Sequence, residues 1–167
     1  QFFRHPPSYA YASQFLRQLI QQERKKPLAI WSVGCSTGEE PYTLAIILRE
    51  MIEYYSSWEV LIKAIDIDEN VLGAARRGVY DQRSVKDVPP TYLQRYFASP
   101  AKGEYVIDQS IKDMVIFEHL NLMDRRALRF EEDYDFVFCR NVLIYFDDIS
   151  RKQVVDKFYS MLRKGGY

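Results

Sequence analysis

Trp31-Ser32-Val33-Gly34-Cys35-Ser36-Thr37-Gly38-Glu39-Glu40 is the stretch that decides the fold. With Leu28-Ala29-Ile30 before it, it makes a short apolar run that stops at a glycine. Such a run reads as a strand buried on both faces. Beyond the turn, Tyr42, Leu44, Ala45, Ile46, Ile47, Leu48, Met51 and Ile52 crowd a segment without internal Gly or Pro. That density predicts a buried helix from Pro41 to Ile52, with Pro41 in its first turn. A strand, a glycine turn and a helix in this order open a ligand-binding unit of an α/β sheet.

The pattern continues outward. Val60 to Ile65 reads as a second buried strand ending at Asp66, and Glu69 to Arg77 as a helix stopped by Gly78. Asp81 to Phe97 is more polar, is broken at Pro89-Pro90, and carries a helical stripe of Tyr92, Leu93, Tyr96 and Phe97. Asp135 to Cys139 predicts another strand. Ser150 to Leu162 puts Val154, Val155, Phe158, Met161 and Leu162 on one helical face, with Gly165-Gly166 to end it. Strands alternating with helices predict an α/β, doubly wound, Rossmann-like fold with a mostly parallel sheet. Glu104-Tyr105-Val106-Ile107 and Met114-Val115-Ile116-Phe117 follow each other too closely for a helical crossover. They predict a small antiparallel β insert at about 100–117.

Composition bounds the function. The 167 residues suit one domain, or one domain with a small insert. Acidic and basic residues number 23 each, so no net charge draws the chain to nucleic acid or to an anionic membrane. No secretory signal and no apolar run of about 18 residues is present, so the expectation is a soluble, cytoplasmic protein. Two cysteines and two histidines lack metal-ligand spacing, so no metal is expected. The chain opens at Gln1 without methionine and closes on Gly165-Gly166-Tyr167, so a domain over 1–167 truncated at both ends is expected.

In a doubly wound sheet, ligands bind at the C-terminal strand edge near the switch point. The polar groups there are Gly34 to Glu40, Asp66, Asn121 and Arg140-Asn141. Gly34 and Gly38 permit a tight turn and close ligand approach, but G-x-G-x-x-G is missing. Glu39 and Glu40 suit a helix N-terminus and oppose a pyrophosphate, so an amine or sulfonium ligand fits better than a nicotinamide dinucleotide. A plain structural turn with acidic capping explains the glycines equally well. Asp66 can accept both hydroxyls of a ribose, with Asp68 capping the next helix. Arg140 precedes the apolar Val142-Leu143-Ile144-Tyr145-Phe146, which reads either as a cover for a ligand or as a buried turn with a paired Arg. Cys35 and Cys139 read as small buried apolar residues, and His5 and His119 as isolated structural ones.

These segments together resemble the chemotaxis receptor glutamate O-methyltransferase family, of CheR type. The resemblance rests on Phe2-Phe3-Arg4, Trp31 through Tyr42 (WSVGCSTGEEPY), Ala64 through Asp68 (AIDID), Ala74 through Tyr80 (AARRGVY), Arg95-Tyr96-Phe97, Asn121-Leu122 and Phe138 through Asp147 (FCRNVLIYFD). It implies an S-adenosylmethionine-dependent enzyme that esterifies glutamates on the cytoplasmic signalling helices of chemoreceptors, acting as a monomer, without nucleic acid and without membrane insertion. It implies that Gly34 and Glu40 line the methionine part of the cofactor and that Asp66 takes its ribose. Asn121 and Leu122 would lie beside the adenosine. Arg140, Asn141 and Tyr145 would close the reactive side, and Arg4 would sit near the methyl group and the substrate carboxylate. The loop Ser99-Pro100-Ala101-Lys102-Gly103 is short, which departs from family members that dock a receptor tail on the insert. A non-catalytic module that binds S-adenosylmethionine and a protein partner is the alternative, and a nicotinamide dehydrogenase a distant third.

Overall fold

A computed structural model describes residues 1–21, 27–52, 59–124 and 133–167. A four-stranded parallel sheet has the order β6-β2-β1-β7. These strands are β1 (Leu28–Val33), β2 (Val60–Asp66), β6 (Val115–His119) and β7 (Phe136–Cys139). Between them run α1 (Pro6–Ile20), α2 (Glu39–Ile52), α3 (Glu69–Arg77), β3 (Val79–Asp81), α4 (Gln82–Val85), α5 (Pro90–Tyr96), β4 (Phe97–Ala98), β5 (Glu104–Ile107) and α6 (Gln109–Lys112). A 3-10 turn (Leu143–Tyr145) and α7 (Asp148–Met161) close the chain. β1 is central and nearly wholly buried, which is why it carries no polar alternation. Successive strands leave it in opposite directions, so the switch point lies between β1 and β7, above their C-terminal ends.

The predicted strands and helices around the turn appear close to their expected bounds, with three corrections. First, α2 begins at Glu39, so the two glutamates occupy its first turn ahead of Pro41. Second, α7 ends at Met161, before Gly165-Gly166, because Leu162 turns extended and Arg163 N–H bonds the Tyr134 carbonyl. Third, the antiparallel insert is misplaced at about 100–117. The three-stranded sheet, β3-β5-β4, draws on residues from Val79 to Ile107, whereas Val115–His119 pairs in parallel with β2. The cause is α6: Asp108 caps it, Ile111 is fully buried, and the chain turns back to the main sheet. A short apolar run does not state which partner it will take.

Helix α1 has no counterpart among the predicted elements. Its signals are Pro6-Pro7 at the first helical positions and Tyr9, Ala12, Leu16, Leu19 and Ile20 on one buried face. Ahead of it, Phe2 is fully buried and meets Tyr80 and Phe97 edge-on, at centroid distances of 4.7 and 5.1 Å. Phe2 N–H also donates to the Ser84 carbonyl at 2.9 Å. The segment bearing Arg4 is thereby anchored in the insert.

At the other end, the Asp135 carboxylate is 2% exposed. Its Oδ2 accepts from Ala29 N–H and from Arg163 Nη1, both at 2.9 Å. Removing one member of such a buried pair strands the other charge. Asp135→Ala is therefore expected to lower stability by about 3–5 kcal/mol, read from the urea midpoint. An unchanged midpoint would contradict this role.

Candidate functional site

The turn after β1 is tied to the end of β2. Gly34 and Cys35 N–H both donate to the Ile65 carbonyl at 2.9 Å, and Ser36 N–H donates to Asp66 Oδ2 at 2.8 Å. Asp66 Oδ1 accepts from Asp68 N–H at 3.0 Å, and Asp68 in turn caps α3 through Asn70 N–H. Each Asp66 oxygen thus has one backbone donor and one unused lone-pair direction for a ligand. The two glycines serve packing. Gly34 has φ +69°, and a Cβ there would lie 2.2 Å from Val142 Cγ2. At Gly38, φ +90°, it would lie 2.9 Å from the Ala75 Cβ. The missing side chains admit the covering loop and α3 to the turn.

Above this edge lies a cavity of about 630 Å³, within the usual range for a small-molecule site. Every predicted site residue lines it: Arg4, Gly34, Glu40, Asp66, Asn121, Leu122, Arg140, Asn141 and Tyr145. Glu40 accepts from Ser32 Oγ at 3.0 Å in the floor. Arg140 Nη1 donates to the Arg4 carbonyl at 2.9 Å, and its charge acts on Glu40. Arg4 itself makes no ion pair with any described residue, and it sits between two left-handed residues, Phe3 (φ 51°) and His5 (φ 67°). Asn121 Oδ1 accepts from Met123 N–H at 2.9 Å, which leaves its amide N–H2 to donate elsewhere. Tyr145 is 83% exposed at the mouth. The segment from Val142 to Phe146 is therefore no buried turn. Its half-buried Val142 and Phe146 line the cavity and its exposed tip overhangs it.

Tyr9 also lines the cavity and was missed, because α1 was missed. It is 4% exposed and stacks on Phe138 at 5.4 Å. The cysteines keep the structural reading. Burial pushes the Cys35 thiol up and the Cys139 thiol to about 12, so neither is a thiolate near neutral pH. The histidines are likewise engaged locally, His5 with Ser8 Oγ and His119 with the Ile67 carbonyl.

Burial raises the Glu40 carboxyl from its ordinary 4.5 to about 7, against the lowering effect of Ser32 and Arg140. Between these values the folded chain holds a proton that the unfolded chain has released. Stability therefore falls as pH rises through that window. Glu40→Gln removes the cost, so it should raise the thermal midpoint of ligand-free protein at pH 8 and leave it nearly unchanged at pH 4.5. A midpoint lowered at pH 8 would contradict a strained carboxylate.

A family model described as CheR methyltransferase, SAM binding domain, matches residues 1–167. Relatives include chemotaxis protein methyltransferase 2 of Vibrio cholerae, 38% identical over 151 residues, covering 90% of this chain and 52% of the relative. Another is the chemotaxis protein methyltransferase of Borreliella burgdorferi, 38% identical over 153 residues, covering 91% and 54%. The chain spans about half the length of these curated relatives. Among solved structures, the citrinin polyketide synthase CMeT domain superposes with TM-score 0.56 at 16% identity, over 93% of this chain and 32% of that one. PKMT2 from Rickettsia typhi, in complex with AdoHcy, gives 0.51 at 15% identity, over 95% and 24%. These two likenesses speak for the fold. Taken with the motifs now gathered round one cavity, the family match establishes that this chain belongs to the CheR methyltransferase family and is its S-adenosylmethionine-binding domain.

Proposed function

We propose that the intact protein transfers a methyl group from S-adenosylmethionine to glutamate side chains on the cytoplasmic signalling helices of chemoreceptors, giving methyl esters. The observation that carries this is the donor set of one cavity, with Glu40 and Arg140 together in its floor, Asp66 at a strand end, and at its edge Arg4, which makes no ion pair with a described residue. An amino-acid zwitterion needs an anion for its ammonium and a cation for its carboxylate, and Glu40 with Arg140 supplies both. The two open positions on Asp66 suit the ribose hydroxyls. Ile67, Leu120 and Leu122 offer apolar surface for adenine, with Asn121 to bond its edge.

When bound, S-adenosylmethionine supplies a sulfonium-activated methyl group with a neutral thioether leaving group. The substrate carboxylate is ionised at neutral pH, with an ordinary pKa of about 4.3, and needs no general base. The lining agrees with this: no histidine or lysine stands among the described residues of the cavity. Because anion and cation neutralise each other as the bond forms, tight stabilisation of either charge would favour the ground state. The residues should act by alignment, worth up to about 7–11 kcal/mol in model systems, and by excluding water. Arg4 holds one carboxylate oxygen and leaves the other to react, and the exposed Tyr145 orients the same group by hydrogen bonding. Val142 and Phe146 keep the site dry.

Among the described residues no helix is long and apolar enough to cross a membrane. The reading is a cytoplasmic monomer that meets its receptor through protein surfaces. The loop between β4 and β5 spans only Ser99 to Gly103, which supports engagement without a docked receptor tail.

In the intact protein with receptor, Arg4→Ala should lower the rate of base-labile ester formation by about a hundredfold. Affinity for S-adenosylhomocysteine should change little. Methylation at near wild-type rate would remove Arg4 from the reaction. Cofactor binding by the wild-type protein with no ester on any receptor would overturn the enzymatic reading in favour of a binding module.

A further inference from the structure

The segment from Ala74 to Tyr80 carries part of the family resemblance, yet none of its residues lines the cavity. It holds the glycine turn instead. Ala75 packs where Gly38 lacks a side chain, and its carbonyl accepts the Tyr42 hydroxyl at 3.0 Å. Gly78, left-handed at φ +66°, ends α3 and leads without a spacer into β3. Two residues on, the Tyr80 hydroxyl donates to the Thr37 carbonyl at 2.8 Å. A carbonyl has no proton to give, so the direction of this bond is fixed. Tyr80 is 7% exposed, and burial pushes its phenol up, so the hydroxyl keeps its proton at neutral pH. The amides of Gly34, Cys35 and Ser36 tie the turn to β2, and the Thr37 carbonyl ties it to the insert. All four of these residues line the cavity. The Tyr80 ring has a second neighbour on the other side of the site. Phe2 meets it edge-on, at 4.7 Å and 85°, and Phe2 stands two residues before Arg4.

We propose that Tyr80 is a positioning residue with two separable actions: its hydroxyl fixes the turn that receives the methyl donor, and its ring fixes Phe2 and, through it, Arg4 on the acceptor side. This rests on the reading of the cavity as an S-adenosylmethionine site with Arg4 at the substrate carboxylate. Tyr80 stands outside the cavity lining and acts through Thr37 and Phe2. The insert thereby has a share in both halves of the reaction, through two different parts of one side chain.

The test uses the intact protein with receptor and two readouts: calorimetric titration with S-adenosylhomocysteine, and the methylation rate at saturating S-adenosylmethionine. Tyr80→Phe keeps the ring and removes only the hydroxyl. It should weaken S-adenosylhomocysteine binding about fivefold, the scale of one hydrogen bond, while the saturated rate stays near wild type. Phe2→Leu stays apolar and loses the ring edge against Tyr80. It should lower the saturated rate about tenfold and leave S-adenosylhomocysteine affinity near wild type. Tyr105→Phe is the control, because Tyr105 pairs with Tyr80 across β3 and β5 while its hydroxyl bonds Gln82 and not the turn. It should match wild type in both readouts. Unchanged affinity in Tyr80→Phe, an equal loss of affinity in Tyr105→Phe, or an unchanged rate in Phe2→Leu would overturn the proposal while leaving the cavity assignment intact. So would affinity and rate falling together in Phe2→Leu. A wild-type protein that does not bind S-adenosylhomocysteine would instead overturn the cavity assignment itself, and the proposal with it.

Discussion

The stitch between the ends of β1 and β2 is the constraint on which the site depends. Two successive amides, at Gly34 and Cys35, share one acceptor, the Ile65 carbonyl. The next amide reaches the Asp66 carboxylate. The turn therefore cannot move without Asp66, and Asp66 cannot move without the cap of α3, through Asp68. Because the same turn leads directly into α2, its geometry also sets where Glu39, Glu40 and Thr43 stand. One short backbone arrangement thus brings the carboxylates of Asp66 and Glu40 to the same cavity.

The site stores cost where it binds. Half-buried Glu40 has one hydroxyl donor and a guanidinium nearby, and this does not offset its desolvation. On the proposed reading, an ammonium or sulfonium relieves that cost on binding and a phosphate does not. Left-handed Phe3, His5, Ser36 and Asn141 lie in or beside the cavity lining. Such residues persist only where the surroundings hold them, and here the burial of Phe2 in the insert and the Arg140 bond to the Arg4 carbonyl do so. The insert, which lies between β2 and β6 along the chain, is thereby part of the support for Arg4. Tyr80 adds a second tie by donating to the Thr37 carbonyl at 2.8 Å, inside the glycine turn.

Much of this was legible because the signals were local. The run from Leu28 to Glu40 encodes strand, turn and helix within one stretch, and Asp66 and Asp68 declare end and cap within three positions. The site residues were legible for a different reason: they cluster at strand ends, where a parallel sheet collects its ligands, and they match a family's motifs. What failed was pairing. Val115 to His119 has the composition of a strand, but whether it joined the insert or the main sheet was decided by α6 and by room beside β2, which no local pattern records. Helix α1 was passed over although Pro6-Pro7 and its apolar spacing were present, and Tyr9 went with it. The packing partners of the glycines were beyond any local pattern, since Val142 and Ala75 come to Gly34 and Gly38 from distant parts of the chain.

If one cavity binds S-adenosylmethionine with Glu40, Arg140 and Asp66 in three distinct roles, a crystal structure with S-adenosylhomocysteine will show the ligand's ammonium on Glu40, its carboxylate on Arg140 and both ribose hydroxyls on Asp66. A ligand seated elsewhere, or seated there with Asp66 and Glu40 untouched, would rule these roles out.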